Sequence, residues 1–205
     1  MIGTRPLTDE ELERMRDAFS GPYSRRDLCL FVLGVNTGFR ITELLSLDLR
    51  DVATKDGRVF NSITVRRVNT KGKHHSRCVK LSPEAKRTME YWVACCHQDG
   101  YNNPSFSLFC SRKGLRLSRI QAWRVLRKAY AEAGIDGPVG THSMRKTFAN
   151  RIYTHFIERL ACGERIDPFR LVSKALGHQR IENTEAYLSF RQDDIDKSID
   201  RVGYG

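Results

Sequence analysis

The chain has no CxxC pair, no apolar run long enough to cross a bilayer and no glycine-rich phosphate loop of the GxxxxGK(S/T) type. Each absence removes a class of function. A membrane-spanning helix needs roughly 20 consecutive apolar residues, and Met1 leads into a polar start rather than a signal-peptide core. A soluble, cytoplasmic protein with no membrane partner is therefore expected. The six cysteines (Cys29, Cys78, Cys95, Cys96, Cys110 and Cys162) include an adjacent pair, a poor start for a disulfide framework, so reduced thiols are the simplest reading. Cys95, Cys96 and His97 taken with His74 and His75 match no zinc spacing, and no metal or other cofactor is expected. Repeats, low-complexity tracts and proline-rich linkers are also missing. Nothing divides the 205 residues, so a single domain over 1–205 is expected, with its core at about 7–190 and a charged tail at 191–205.

What the sequence does have is positive charge. Thirty-five Lys and Arg stand against 24 Asp and Glu, a net charge of +11, which suits a polyanionic partner, nucleic acid first. The hydrophobic pattern is mainly helical. Thr8 and Glu11 form a capping box before Leu12, Met15 and Phe19. Asp27 to Thr37 is apolar on more than one face and stops at Gly38, as a buried helix with a glycine C-cap does. A third helix follows around Ile41 to Leu47. Between Arg58 and Lys80 the period changes: Val59, Ile63 and Val65 on one arm and Cys78 and Val79 on the other predict a β-hairpin with a basic tip, Asn69-Thr70-Lys71-Gly72-Lys73. Further helices are predicted from Ser82-Pro83 to Cys96, from Ser118 to near Gly134, from His142 to about Phe156 and from Asp167-Pro168 to Leu176, with a short helical segment holding Tyr187. Phe156 to Asp167 reads as a surface loop. The fold class is mainly α with a small antiparallel β-sheet (α+β).

Several residues suit phosphate chemistry, each with a plainer alternative. His142 and Arg145 project from one face near a helix N-terminus, where backbone N–H groups favour an anion; such a pair also serves as an ordinary exposed polar face. Arg40 and Glu43 are placed for an i, i+3 ion pair, worth only ~0.3–0.5 kcal/mol on a surface. Two arginines can instead grip non-bridging phosphate oxygens and neutralise the charge that builds in phosphoryl transfer. Arg112, Lys113, Arg116, Arg119, Arg124, Arg127 and Lys128 form a basic stretch that either follows a nucleic-acid backbone or is a solvated helix face.

Gly38-Phe39-Arg40-Ile41-Thr42-Glu43-Leu44, His142-Ser143-Met144-Arg145, Leu176-Gly177-His178 and Tyr187 nine residues after His178, taken in this order, closely resemble the catalytic domain of the tyrosine recombinases, or phage integrase family. The resemblance covers about Leu7 to Phe190. It implies the tyrosine recombinase catalytic-domain fold and an enzyme independent of metal and ATP that cuts and rejoins DNA in site-specific recombination or integration. Tyr187 is then the nucleophile that attacks a backbone phosphodiester, leaving a 3′-phosphotyrosine and a free 5′-hydroxyl. Arg40 and Arg145 are the clamp, His142 and His178 the hydrogen-bonding and proton-transfer partners, and Glu43 the supporting acid. A hairpin lysine protonates the departing oxygen: Lys71 first, Lys73 as the alternative. Lys73, Arg112, Lys113, Arg119 and Lys146 are expected on the DNA. A phenol of ordinary acidity, near ~10, is a weak nucleophile at neutral pH, and a cationic pocket favours its reactive anion.

The resemblance further implies double-stranded DNA as partner, a homotetramer on DNA with a monomer when free, an accessory DNA-binding protein, and work at the nucleoid. The N-terminal domain usual in the family is expected to be absent, because Thr8 already matches the opening of the catalytic domain. Two other readings keep the same fold: type IB topoisomerase-like relaxation with the same tyrosine, and a non-catalytic DNA-binding or regulatory protein. Ile195, Ile199 and Val202 form an apolar stripe in the tail that docks either on a neighbouring protomer or on its own domain.

Overall fold

A computed structural model describes residues 3–66, 76–178, 180–185 and 187–188. Its centre is α2 (Ser24–Thr37), whose residues Cys29, Leu30, Phe31, Val32, Leu33 and Val35 are all buried, as expected of a helix apolar on more than one face. It packs against α5 (Pro83–Gln98) on one side and α7 (Thr141–Ala161) on the other. The approach to α7 is close because Gly34 leaves room for Met144 and Gly38 for Phe148.

Around this axis lie α1 (Asp9–Asp17), α3 (Ile41–Leu45), α4 (Leu49–Val52), α6 (Arg119–Glu132), α8 (Pro168–Leu176) and α9 (Glu182–Glu185). The starts signalled in the sequence are observed: the Thr8–Glu11 capping box on α1, Ser82 with Pro83 on α5, the Ser118–Gln121 box on α6 and Asp167 with Pro168 on α8. Gly38 and Gly177 end α2 and α8 in the left-handed region, with φ of 59° and 66°, which suits residues without a Cβ.

The two arms of the hairpin are β1 (Ser62–Val65) and β2 (Arg77–Lys80), antiparallel, with Ser62 opposite Lys80 and Val65 opposite Arg77. On β1, Ile63 and Val65 face the core while Ser62 and Thr64 face out. The architecture is the expected helical domain with one small antiparallel sheet.

Four local expectations need correction. Helix α2 begins at Ser24, three residues before Asp27. The helix after Gly38 stops at Leu45; Asp48 then bridges to Ser107, and α4 follows as a separate turn whose Asp51 carboxylate accepts the Asp48 N–H at 2.9 Å. Helix α7 continues five residues past Phe156, so only 162–167 is loop; Ile152, Tyr153 and Phe156 pack against Val172 and Leu176 of α8 and extend the helix by burial. Finally, α9 ends before Tyr187, which lies in the following turn.

Candidate active site

Four segments far apart in sequence meet at the C-terminal ends of α2 and α8 and the N-terminal end of α7. Arg40 is the first contributor. Its extended backbone (φ −67°, ψ 151°) leads into α3, and the Glu43 carboxylate accepts both its N–H at 2.7 Å and its Nη1 at 2.9 Å. Glu43 is 1% exposed whereas the Arg40 side chain is 23% exposed, so a buried acid holds a guanidinium that still reaches solvent. The surface salt bridge allowed by the sequence is thus a half-buried one.

Arg145 is almost wholly buried. Its Nη1 donates to the Gly38 carbonyl, and its Nη2 donates to the Leu176 carbonyl at 2.8 Å and lies 3.1 Å from Nε2 of His178. Gly38 and Leu176 stand at the ends of α2 and α8, where unsatisfied carbonyls carry partial negative charge that offsets the cation. Burial, then the charge of Arg40, lowers the Arg145 pKa to about 10, with Tyr187 and Glu43 opposing; at neutral pH the group stays charged. Its Nε is buried with no hydrogen-bond partner among the described residues, an unused donor that is costly to leave unmade.

His142 is the second residue of α7, a helix capped by the Ser143 hydroxyl, which accepts the Gly140 N–H at 3.0 Å. The residue is solvent-exposed overall, yet desolvation of its ring, followed by Arg145, Arg40, Lys146 and Arg119, lowers its pKa. His178 follows Gly177 directly, and its pKa is pushed down to about 4 by burial and then by Arg145, Arg40 and Arg77. Both imidazoles are therefore neutral at pH 7.

Tyr187 sits over this cluster. The Arg145 guanidinium carbon lies 5.1 Å from the centre of its ring, and the His178 and His142 ring centres are 5.0 and 6.4 Å away. Every catalytic residue expected from the sequence is thus brought together except the hairpin lysines: Lys71 and Lys73 lie outside the described residues, as does the tail stripe of Ile195, Ile199 and Val202. Arg112, Lys113 and Arg119 are exposed on the loop before α6 and at its start, and Lys146 is half-buried on α7. Arg116, in contrast, bonds Asp48 at 2.7 Å and the carbonyls of Leu45 and Leu47, so it braces α3 instead of lying free.

Sequence reasoning missed two members. Arg77 on β2 donates to the carbonyls of Thr37, at 2.7 Å, Gly38, at 3.2 Å, and Ala175, and its guanidinium carbon lies 4.8 Å from the Phe39 ring centre. It shares the Gly38 carbonyl with Arg145 and takes the carbonyl next to the one Arg145 uses on α8. Burial pushes its pKa to about 9, with the Arg145 charge acting the same way. Alternation along β2 would have flagged Arg77 as facing inward with Val79. Thr184, 0% exposed, is the other: its Oγ1 lies 3.0 Å from Nδ1 of His178 and its carbonyl accepts the Tyr187 N–H at 2.9 Å. A threonine in a polar stretch gives no signal of this kind.

Among the described residues no group of three metal-ligating side chains comes together. Cys95 and Cys96 are buried on α5, where Cys95 accepts from Arg25 at 3.1 Å. Nor is any described helix long and apolar enough to cross a membrane.

The model of the "Phage integrase family" matches residues 5–193. The type 1 fimbriae regulatory protein FimE of Escherichia coli K12 is 32% identical over 198 residues, covering 92% of this chain and 87% of FimE. The tyrosine recombinase XerD of Corynebacterium glutamicum is 29% identical over 174 residues, 85% of this chain but only 51% of XerD. In fold, the chain is similar to the XerA recombinase (TM-score 0.73, 21% identity, all of this chain and 67% of that one). It is also similar to the XerH site-specific recombinase solved on its difH substrate after cleavage (TM-score 0.70, 24% identity, 95% of this chain and 52% of that one).

Proposed function

The chain belongs to the phage integrase family, and from that premise we propose that this tyrosine site-specific recombinase breaks and rejoins double-stranded DNA with Tyr187 as its nucleophile. The observation that carries the assignment of residues is the meeting of Arg40, His142, Arg145, His178 and Tyr187 from four separate segments at one cationic point. In the proposed step, Oη of Tyr187 attacks phosphorus. The phenolic proton passes to a neighbouring neutral imidazole as the Oη–P bond forms, the bond to the 5′-oxygen breaks, and the enzyme keeps the 3′-phosphate while the 5′-oxygen takes a proton from the hairpin acid. Religation runs the same step backwards.

Arg40 and Arg145 receive the non-bridging oxygens. Arg40 is partly exposed and preset by Glu43, and the partnerless Nε–H of Arg145 is satisfied by an oxygen placed there. These two fixed cations supply charge stabilisation of the kind a metal ion provides elsewhere. The neutral histidines can take or pass a proton at pH 7. Lys71, or else Lys73, is the proposed acid for the leaving oxygen.

A DNA partner is supported by XerH having been solved on its difH substrate. The finer assembly we propose is four protomers exchanging two duplexes, with a monomer in free solution, an accessory DNA-binding protein and a place at the nucleoid. The chain spans about half of XerD but most of FimE. The deciding experiment incubates the protein with nicked duplex DNA in EDTA and denatures it in SDS. A covalent protein–DNA adduct that Tyr187→Phe abolishes is expected; an adduct surviving in Tyr187→Phe, or none on any cognate site, refutes the assignment.

A further inference from the structure

We propose that Arg77 is a positioning residue for Arg145: by tying the ends of α2 and α8 together it fixes the two carbonyls that aim Arg145 at the scissile phosphate. Only the phosphate in that statement rests on the strand-transfer reading; the placement of Arg145 is a property of the free protein. Arg145 enters the site from α7 on a long side chain, and hydrogen bonds must choose among its rotamers. Two carbonyls make that choice. Nη1 donates to Gly38 at the end of α2, and Nη2 donates to Leu176 at the end of α8, at 2.8 Å. The aim of the guanidinium therefore depends on the spacing of two helix ends.

Helices α2 and α8 each pack on α7. Among the described residues, only Arg145 and Arg77 hydrogen-bond to the ends of both. Arg77 shares the Gly38 carbonyl, at 3.2 Å, and takes those of Thr37, at 2.7 Å, and Ala175, each one residue back from a carbonyl that holds Arg145. Its own place is fixed from outside the two helices. The backbone is paired in the hairpin opposite Val65, the guanidinium carbon lies 4.8 Å from the centre of the Phe39 ring, and Nη1 is 3.9 Å from the Glu43 carboxylate. A Cβ at Gly177 would stand 3.1 Å from Cδ of Arg77, so the glycine that ends α8 also leaves room for the arginine stem. Without Arg77, the Thr37 and Ala175 carbonyls lose its donors while keeping the partial negative charge of a helix C-terminus. Arg145, already bonded to their neighbours, is then drawn back along the helices and off its line to the phosphate. While both arginines are present, their like charge opposes that shift.

Single-turnover adduct formation is measured on nicked duplexes whose scissile phosphate is either natural or a methylphosphonate, each stereoisomer separately. A methyl group in place of one non-bridging oxygen removes charge that a clamp arginine offsets. Arg145→Met is expected to lose about 10³-fold on the natural phosphate and far less on one isomer. Arg77→Met is expected to lose about 10²-fold on the natural phosphate and to come within about tenfold of the wild type on that same isomer. Added to Arg145→Met, it should slow cleavage by no more than about threefold further. Equal losses on natural and substituted phosphates, or independent losses in the double variant, are what a purely structural staple gives and overturn the proposal. Arg77→Lys keeps the charge without the planar fork and carries the same comparison if Arg77→Met does not fold. A crystal structure of the DNA-free variant is expected to show Arg145 displaced from the Gly38 carbonyl; an unmoved Arg145 overturns the proposal. If no DNA yields an adduct with the wild type, or no isomer relieves Arg145→Met, the strand-transfer or clamp reading fails, and that crystal structure still decides whether Arg77 places Arg145.

Discussion

Glu43 illustrates how much a single buried acid does. It caps the backbone of Arg40, pairs with the Arg40 side chain and lies 3.9 Å from Nη1 of Arg77. Removing it leaves cations without their partner, a loss of about 3 kcal/mol or more for a buried pair. Glu43→Ala should therefore lower the urea midpoint and, by releasing Arg40 from its proposed place on the phosphate, slow cleavage by about 10²-fold. Glu43→Gln, which keeps the shape and one acceptor, should lose less of both. Equal effects from the two variants would show that charge, not placement, is what Glu43 supplies.

His178 ties stability to pH at the same scale. Its folded pKa is about 4, against ~6.5 for an unperturbed histidine. Between those values the unfolded chain binds more protons than the folded one, so stability falls as pH drops through that window. The contribution is complete above ~6.5 and exhausted below about 4. His142, lowered in the same direction, adds to the slope. Denaturant midpoints measured from pH 7 to pH 4 should fall more steeply for the wild type than for His178→Gln; parallel curves would mean that the ring is not held neutral.

At the scale of elements, the site depends on how closely α2 and α7 pack. A Cβ at Gly38 would stand 2.3 Å from Cδ1 of Phe148, and the residue has φ of 59°. Gly38→Ala therefore combines left-handed strain with a ring clash and should cost about 2 kcal/mol or more. The Gly38 carbonyl also receives Arg145 and Arg77, so the same variant should slow cleavage more than its stability loss explains. Thermal unfolding and single-turnover cleavage on one preparation would separate the two effects.

The same packing explains which parts of the fold are readable in the sequence. Helix starts are legible because Ser82, Ser118 and Asp167 cap through local hydrogen bonds that depend on spacing of a few residues. The end of α7 is not, because Phe156 and its neighbours are held helical by Val172 and Leu176, which a local pattern does not include. In the site, Arg40, Arg145, His178 and Tyr187 are legible as a set through their order and register. Arg77 and Thr184 are not, since their importance lies in carbonyls and a ring nitrogen contributed by other segments.

Across the whole molecule the governing quantity is the +11 charge. Arg119 lines an open groove of about 590 Å³ with Ile41, Ser118, Ile120, Trp123 and Thr141, the last beside His142 in sequence, and Arg112 and Lys113 are exposed on the loop that precedes it. On the proposed reading, cations there neutralise phosphates next to the one being cut, whereas Arg116 is committed to Asp48. Each phosphate neutralised should contribute about 0.9 to the slope of log affinity against log salt. The combined Arg112→Ala, Lys113→Ala and Arg119→Ala variant should thus lose roughly two to three units of slope and weaken binding on all sequences alike. Arg116→Ala should instead leave the slope nearly unchanged and lower stability through Asp48. Fluorescence anisotropy across a salt series, paired with urea unfolding, checks both; a slope that falls with Arg116→Ala but not with the triple variant would move the DNA path to the other side of α3.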